Sequence, residues 1–193
     1  MPSKTVGVLA LQGDVREHVE VLNSLDCNVI EVKTPAQLAS VNALVIPGGE
    51  STTIYKLAEI FGMLEPLRSA IKGGLPVLGT CAGLILLSRE IIDPASGQQT
   101  FGGLDAVVKR NAFGNQNDSF ETTLTVEGVT EPVHAAFIRA PIIASVGPDA
   151  QVIAKLPDGR IVGVRQGRVI GISFHPEVVG DARIHQLLLD AIS

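Results

Sequence analysis

The chain has 193 residues, 46% hydrophobic and 18% charged, with a net charge of −5. It is long enough to bury a full core, too apolar for disorder, and lacks the run of ~20 apolar residues that a membrane helix needs. The acidic balance, with Lys109-Arg110 as the only adjacent basic pair, excludes an electrostatic footprint for nucleic acid or an anionic membrane surface.

Thr5 to Leu11 reads as a buried strand, followed by a Gln12-Gly13 turn and a helix with Val15, Val19, Leu22 and Leu25 on one face. The apolar run stops at Gln12, too short for a signal-peptide core, so the cytoplasm is the expected compartment. Asn28 to Val32 is a second strand, Thr34-Pro35 an N-cap with proline at the first helical position, and Ala43 to Ile46 a third strand ended by Pro47-Gly48-Gly49. Ser51 is expected to cap a helix through Phe61, Leu64 to Ile71 continues helical to a Gly73-Gly74 stop, and Pro76 to Gly79 is a strand leading into a helix at Ala82. Repeated β-α units argue for a parallel sheet with right-handed crossovers.

Asp93 to Gly103 has the composition of a surface loop. From Asp118 onward short β runs take over: Phe120 to Val126, Val133 to Phe137, Val152 to Leu156, Ile161 to Val164 and Val169 to Phe174. The turns Pro157-Asp158-Gly159 and Gln166-Gly167 predict hairpins, and Ala182 to Ile192 is a closing amphipathic helix. No linker or repeat divides the chain, so a single domain over residues 1–193 is expected: an α/β fold with a mostly parallel central sheet, helices on both faces and an antiparallel extension.

Gly79-Thr80-Cys81-Ala82-Gly83 has the spacing of a nucleophile elbow with cysteine in the serine position. Small residues two positions either side suit a tight strand-to-helix turn, and the helix start favours a thiolate. The Ala82 amide can face an oxyanion. Cys27 reads instead as a small buried hydrophobe, and two cysteines cannot make a disulfide framework or a Cys-only zinc site.

A cysteine nucleophile needs an imidazole to move protons and a carboxylate to orient that imidazole. Ser173-Phe174-His175-Pro176-Glu177 follows a strand, where residues two apart project to one side, so His175 and Glu177 point together. Pro47-Gly48-Gly49-Glu50-Ser51 sits at another strand's C-terminal end, where open α/β sheets bind ligands, and Gly49 is a source of a second oxyanion N–H. Arg110 and Arg139, each beside apolar strand residues, are candidate carboxylate clamps, with ordinary surface salt bridges as the alternative. His18, His134 and His185 have no liganding spacing and are expected to be structural or solvent-facing. Neither GxGxxG nor GxxxxGK[ST] occurs, so dinucleotide and P-loop chemistry have no support.

PGGEST at 47–52, GTCAGL at 79–84 and SFHPE at 173–177 stand in the order of the class I, triad-type glutamine amidotransferases. GVLALQGDVREH at 7–18, RNAFGNQNDSFE at 110–121 and FIRAP at 137–141 resemble, within that class, the glutaminase subunits of pyridoxal 5′-phosphate synthases. The resemblance implies a flavodoxin-like sheet and hydrolysis of L-glutamine by Cys81 as nucleophile, His175 as base and acid, and Glu177 as orienting residue. Gly49, Glu50, Ser51, Arg110, Ile138 and Arg139 match glutamine-binding positions. It further implies ammonia transfer to a synthase subunit, a (β/α)8 barrel that builds the vitamin B6 ring, within a hetero-oligomer, and no metal or organic cofactor in this chain.

On the residues alone, two other readings stay open. A peptidase or amidase on the same elbow predicts turnover of peptides without a partner. A catalytically silent redox module would use Cys81 as an oxidisable thiol, but has no need of His175 and Glu177.

Overall fold

In the computed structural model, which describes residues 3–113 and 119–193, strands and helices alternate through the first half. They run β1 (Thr5–Leu9), α1 (Val15–Ser24), β2 (Asn28–Val32), α2 (Pro35–Ala39), β3 (Ala43–Ile46), α3 (Ser51–Ile60), α4 (Leu64–Lys72), β4 (Val77–Thr80) and α5 (Ala82–Leu87). Six strands follow before the last hairpin partner: β5 (Ser88–Ile92), β6 (Leu104–Lys109), β7 (Ser119–Leu124), β8 (Val133–Ile138), β9 (Ile142–Val146) and β10 (Gln151–Lys155). The chain ends with β11 (Ile161–Gln166), β12 (Val169–Ile172) and α6 (Arg183–Asp190).

The main sheet runs β2-β1-β3-β4-β12-β11-β9-β6-β5, with β10 added beside β11. Its first five strands are parallel. β11, β9 and β6 then join antiparallel, and β5 lies parallel to β6. This is the expected α/β sheet with its antiparallel extension, and the two predicted hairpins are β10–β11 and β11–β12.

The central strands β3, β4 and β12 are buried at every residue, which is why they read as continuous apolar runs. Alternate side chains feed two cores. Leu44, Ile46 and Val77 pack with Leu38, Ile54, Leu67 and Leu86, which belong to α2–α5. Ala43, Val45, Leu78 and Ile170 pack with Leu22 of α1, Leu188 of α6 and Phe137 of the separate β7–β8 pair. Helices therefore cover both faces. No helix among the described residues is long and apolar enough to cross a membrane.

Thr34 caps α2 with a full capping box, its side chain bonded by the Gln37 N–H. Ser51, however, is the first residue of α3 and not its cap. Glu50 holds that position without a side-chain bond, and the Ser51 hydroxyl accepts from Gln98 Nε2 at 2.8 Å. β5, β6 and β9 were not anticipated by the sequence pattern, β1 stops at Leu9, and α6 is shorter than the amphipathic run.

Candidate active site

Three neighbouring strands of one parallel sheet deliver the three motifs to one edge. In register, Ile46 of β3 lies beside Gly79 of β4, and Thr80 beside Ile172 of β12. The residues that follow these strands, Gly48-Gly49, Cys81 and His175, are thus brought together at the carboxyl ends, where such sheets bind ligands. The Cys81 N–H donates to the Ile172 carbonyl at 2.8 Å, tying the elbow to the strand that carries His175.

Cys81 has φ +51° and ψ −102°, a conformation that costs a non-glycine residue roughly 1–3 kcal/mol and turns its side chain outward between β4 and α5. The flanking glycines make the turn possible by close approach. A Cβ on Gly83 would stand 2.1 Å from the Ile46 carbonyl oxygen, and one on Gly79 would stand 2.6 Å from the Gly83 carbonyl carbon. Ala82 opens α5 and is buried.

His175 and Glu177 do point together. His175 Nδ1 donates to Glu177 Oε1 at 2.6 Å in a buried setting, which leaves Nε2 for proton exchange. Asp14, just before α1, adds a second carboxylate, its Oδ2 3.3 Å from the same Nδ1. Burial disfavours the imidazolium, but bonds to Asp14, Cys81 and Glu177 outweigh it and push His175 up to about 12. Burial pushes the Glu177 carboxyl up, while the His175 charge opposes that shift. Asp14, His175 and Glu177 are close enough together to hold a cation, but one seated there would displace the proton of His175 Nδ1.

Cys81 and His175 open onto a cleft of about 600 Å³. Gly49, Glu50, Ser51, Arg110, Ile138 and Arg139 all line it; Glu177 lies buried behind His175, and Ala82 is not on the wall. Neither arginine forms an ion pair with a carboxylate among the described residues, as a clamp awaiting a substrate carboxylate requires. Arg139 and Asn111 both take left-handed φ, +46° and +47°, so two wall residues carry backbone strain. Part of the 110–121 motif, residues 114–118, lies outside the described residues.

Several wall residues were missed from the sequence: Gln12, Asp14, Asn111, Phe113 and Val178. The Gln12-Gly13-Asp14 turn after β1 offered one signal, since it too follows a parallel strand of the same sheet. Asp93 to Gly103 is more than a surface loop. Its Phe101 is 5% exposed and packed in the core, and its Gln98 bridges Ser51 and Arg110. His134 is a surface residue paired with Glu121; His18 and His185 are buried. Cys27, expected to be buried, is only half-buried, packed against the core.

The model of the SNO glutamine amidotransferase family matches residues 8–193. The chain belongs to that family. It is 56% identical over 193 residues to pyridoxal 5′-phosphate synthase subunit PdxT of Streptomyces avermitilis, covering 100% of this chain and 96% of that protein. It is 58% identical over 188 residues to the PdxT subunit of Clavibacter michiganensis, covering 97% and 90%. A crystal structure of a glutamine amidotransferase superposes with a TM-score of 0.90 at 46% identity, over 97% of this chain and 98% of the other. PurLQS from Thermotoga maritima, at 19% identity with a TM-score of 0.72 over the full length of both chains, shares the fold. An elbow cysteine beside a His–Glu pair has the residue types that amide transfer from glutamine requires, a nucleophile and a base.

Proposed function

We propose that residues 1–193 form one glutaminase domain that hydrolyses L-glutamine through Cys81, His175 and Glu177. The ammonia passes to a synthase subunit making pyridoxal 5′-phosphate. The observation that carries the triad is the strained Cys81 at the cleft floor facing an imidazole whose Nδ1 is pinned to a buried carboxylate. The relatives' shared description as pyridoxal 5′-phosphate synthase subunits supports the destination of the ammonia.

The α-carboxylate of glutamine is held by Arg110 and Arg139, and the rest of the substrate by Gly49, Glu50, Ser51 and Ile138. The raised His175 ring holds the Cys81 proton on Nε2 ahead of attack, the Cys81 sulfur bonds to the side-chain amide carbon, and the carbonyl electron pair moves onto oxygen. The N–H groups of Gly49 and Ala82 stabilise that oxyanion. As it collapses, the C–N bond breaks and His175 protonates the departing ammonia. Water then attacks the γ-glutamyl thioester, giving a proton to His175, and the C–S bond breaks to release glutamate. A raised His175 suits this cycle because the ring holds the proton between each transfer.

Val178 and Ile138, apolar yet 49% and 38% exposed, rim the cleft. They support docking of the synthase, a (β/α)8 barrel in a hetero-oligomer, over the mouth where ammonia leaves. The reaction is cytoplasmic in this reading. Ammonia release from glutamine, measured with and without the synthase subunit, tests it. Release confined to glutamine and raised by the synthase is expected, and peptide turnover without a partner would replace it with the peptidase reading.

A further inference from the structure

Behind Glu177, on the side away from the cleft, two histidines that the triad does not use fill the space between α1 and α6. His18 and His185 are fully buried, and His18 Nδ1 stands 2.8 Å from His185 Nε2. His18 Nε2 faces the active site. It lies 3.2 Å from the hydroxyl of Thr80, the residue before Cys81, and 3.6 Å from Glu177 Oε1, the oxygen that holds His175.

The partners decide where the protons sit. A bare Nε2 on His18 would aim a lone pair at a carboxylate, so Nε2 carries the proton and Nδ1 accepts from His185 Nε2–H. His185 Nδ1, which has no hydrogen-bond partner among the described residues, is then a bare acceptor. The opposite assignment would strand a buried N–H, a rarer and costlier defect. Burial pushes both imidazoles down, His18 further under the influence of His185 and His175, and His185 to about 4, so both are neutral with one proton each. Glu177 lies near that N–H dipole, at 3.6 Å and so beyond a hydrogen bond. Its Oε2 has no partner among the described residues, so Oε1 alone holds the carboxylate in place.

We propose that His18 and His185 are positioning residues of the triad: His18 Nε2–H bonds to the hydroxyl of Thr80, next to Cys81, and turns its positive end toward Glu177 Oε1 at 3.6 Å, favouring the ionised carboxylate that orients His175, and His185 fixes the tautomer of His18. This rests on the triad reading above. The titratable and charged groups facing the pair are His175 and Glu177 from the turn after β12, Asp181 ahead of α6 and, beyond His175, Asp14 ahead of α1.

The test compares His18→Gln, His18→Asn and His18→Leu in the full chain with its synthase subunit, following kcat, KM and the pH profile of glutamine hydrolysis. Gln keeps a donor at the reach of Nε2, Asn keeps one only at the reach of Nδ1, and Leu keeps neither. Leu and Asn should lower kcat about three- to tenfold, the loss that accompanies one neutral hydrogen bond, with little change in KM. Their acid limb should move to higher pH, because Glu177 without the nearby N–H dipole takes up a proton sooner. Gln should recover activity to near that of the native chain. If His18→Leu does not fold, His185→Gln gives the same readings, with a smaller loss and the same direction of limb shift expected. A folded variant with lowered melting temperature but unchanged kcat and acid limb would overturn the proposal. Cys81→Ala in the same assay separates the two readings: turnover surviving in it overturns the triad, whereas an inactive Cys81→Ala beside a fully active His18→Leu overturns the positioning role alone.

Discussion

Gln98 Oε1 accepts from Arg110 Nη1 at 3.0 Å while Gln98 Nε2 donates to Ser51 at 2.8 Å. One amide from the 93–103 loop thereby fixes two residues on opposite walls of the cleft. Gln98→Ala frees the Arg110 fork and leaves the triad untouched. KM for glutamine should rise about three- to tenfold, the effect of one neutral hydrogen bond, with kcat nearly constant. Steady-state ammonia release checks it; a lowered kcat at constant KM would contradict the positioning role of Gln98.

Arg110 and Arg139, which line the cleft, are the proposed clamp for the substrate α-carboxylate. Replacing either with Ala removes a charge-assisted contact worth about 1.5–3 kcal/mol, roughly ten- to more than a hundredfold in kcat/KM, mainly through KM. Alkylation of Cys81 by iodoacetamide should continue at its usual rate. Unchanged kinetics in both variants would remove the arginines from the site.

Cys81→Ala should reduce glutamine turnover to near background with an unchanged circular dichroism spectrum, because a covalent route has no substitute attacker. Cys27→Ser should cost little, since that thiol lies half-buried at the end of α1 and away from the cleft. Activity above about a tenth in the Cys81 variant is incompatible with a lost covalent step.

The meeting of Cys81, His175 and Glu177 at one sheet edge was legible because they follow buried central strands, and the elbow glycines are demanded by close backbone approach, Gly83 to Ile46 and Gly79 to Gly83. Arg110 and Arg139, read as charges beside apolar strands, both line the cleft. Asp14 was hidden because a single acid before a helix reads as a cap, and nothing local shows that β1 sends it to the His175 ring. Gln98 was hidden because a polar loop residue acquires its partners only through packing of Phe101 against the core. β5 and β9 do not alternate buried and exposed residues, and β6 alternates in burial but not in its residues, Leu104-Asp105-Ala106-Val107-Val108-Lys109, so none stands out from loop sequence. His18 and His185 were read as unrelated because 167 positions separate them in sequence.

Those two histidines set an acid limit to stability. Unfolded, each binds a proton below its ordinary value near 6.5; folded, His185 resists protonation down to about 4 because it is buried. The unfolded state therefore binds more protons between pH 6.5 and 4, and stability falls as pH drops through that window. His185 alone accounts for about 2 kcal/mol by pH 5. His175 acts in the opposite sense: its raised value contributes stability that is complete below 6.5 and is lost only as pH climbs toward about 12. Urea unfolding at pH 7 and pH 5 should show the acid loss, and His185→Gln should shrink it. An equal loss in that variant would show that His185 is not its source.

The peptide between Gly48 and Gly49 is the proposed point at which a synthase contact switches activity on. The Gly48 carbonyl accepts from the Asp14 N–H at 2.9 Å, which sets the orientation of this peptide, and the next peptide is held through the Glu50 N–H by Gln12 Oε1 at 2.9 Å. Turning the Gly48–Gly49 peptide over exchanges the Asp14 bond for a new direction of the Gly49 N–H, and only one orientation can serve an oxyanion. Both residues have room for the turn only as glycines. A Cβ on Gly48 would stand 2.4 Å from His175 Cε1, and Gly49 has φ +153° with its Cβ position 2.5 Å from Gln12 Oε1. Losing one oxyanion donor costs about 10² to 10³ in rate, so a synthase contact that fixes the productive orientation accounts for a large activation with the triad unmoved. The isolated chain should be nearly idle, and ammonia release should climb across a synthase titration. Gly49→Ala should lose most of that climb, since its methyl group would stand 2.9 Å from the Gly13 Cα as well as against Gln12, and the strained φ resists the turn. Gly48→Ala should be inactive at every synthase concentration because its methyl group displaces the His175 ring. Full activity of the isolated subunit, with no rise on titration, would sink the switch.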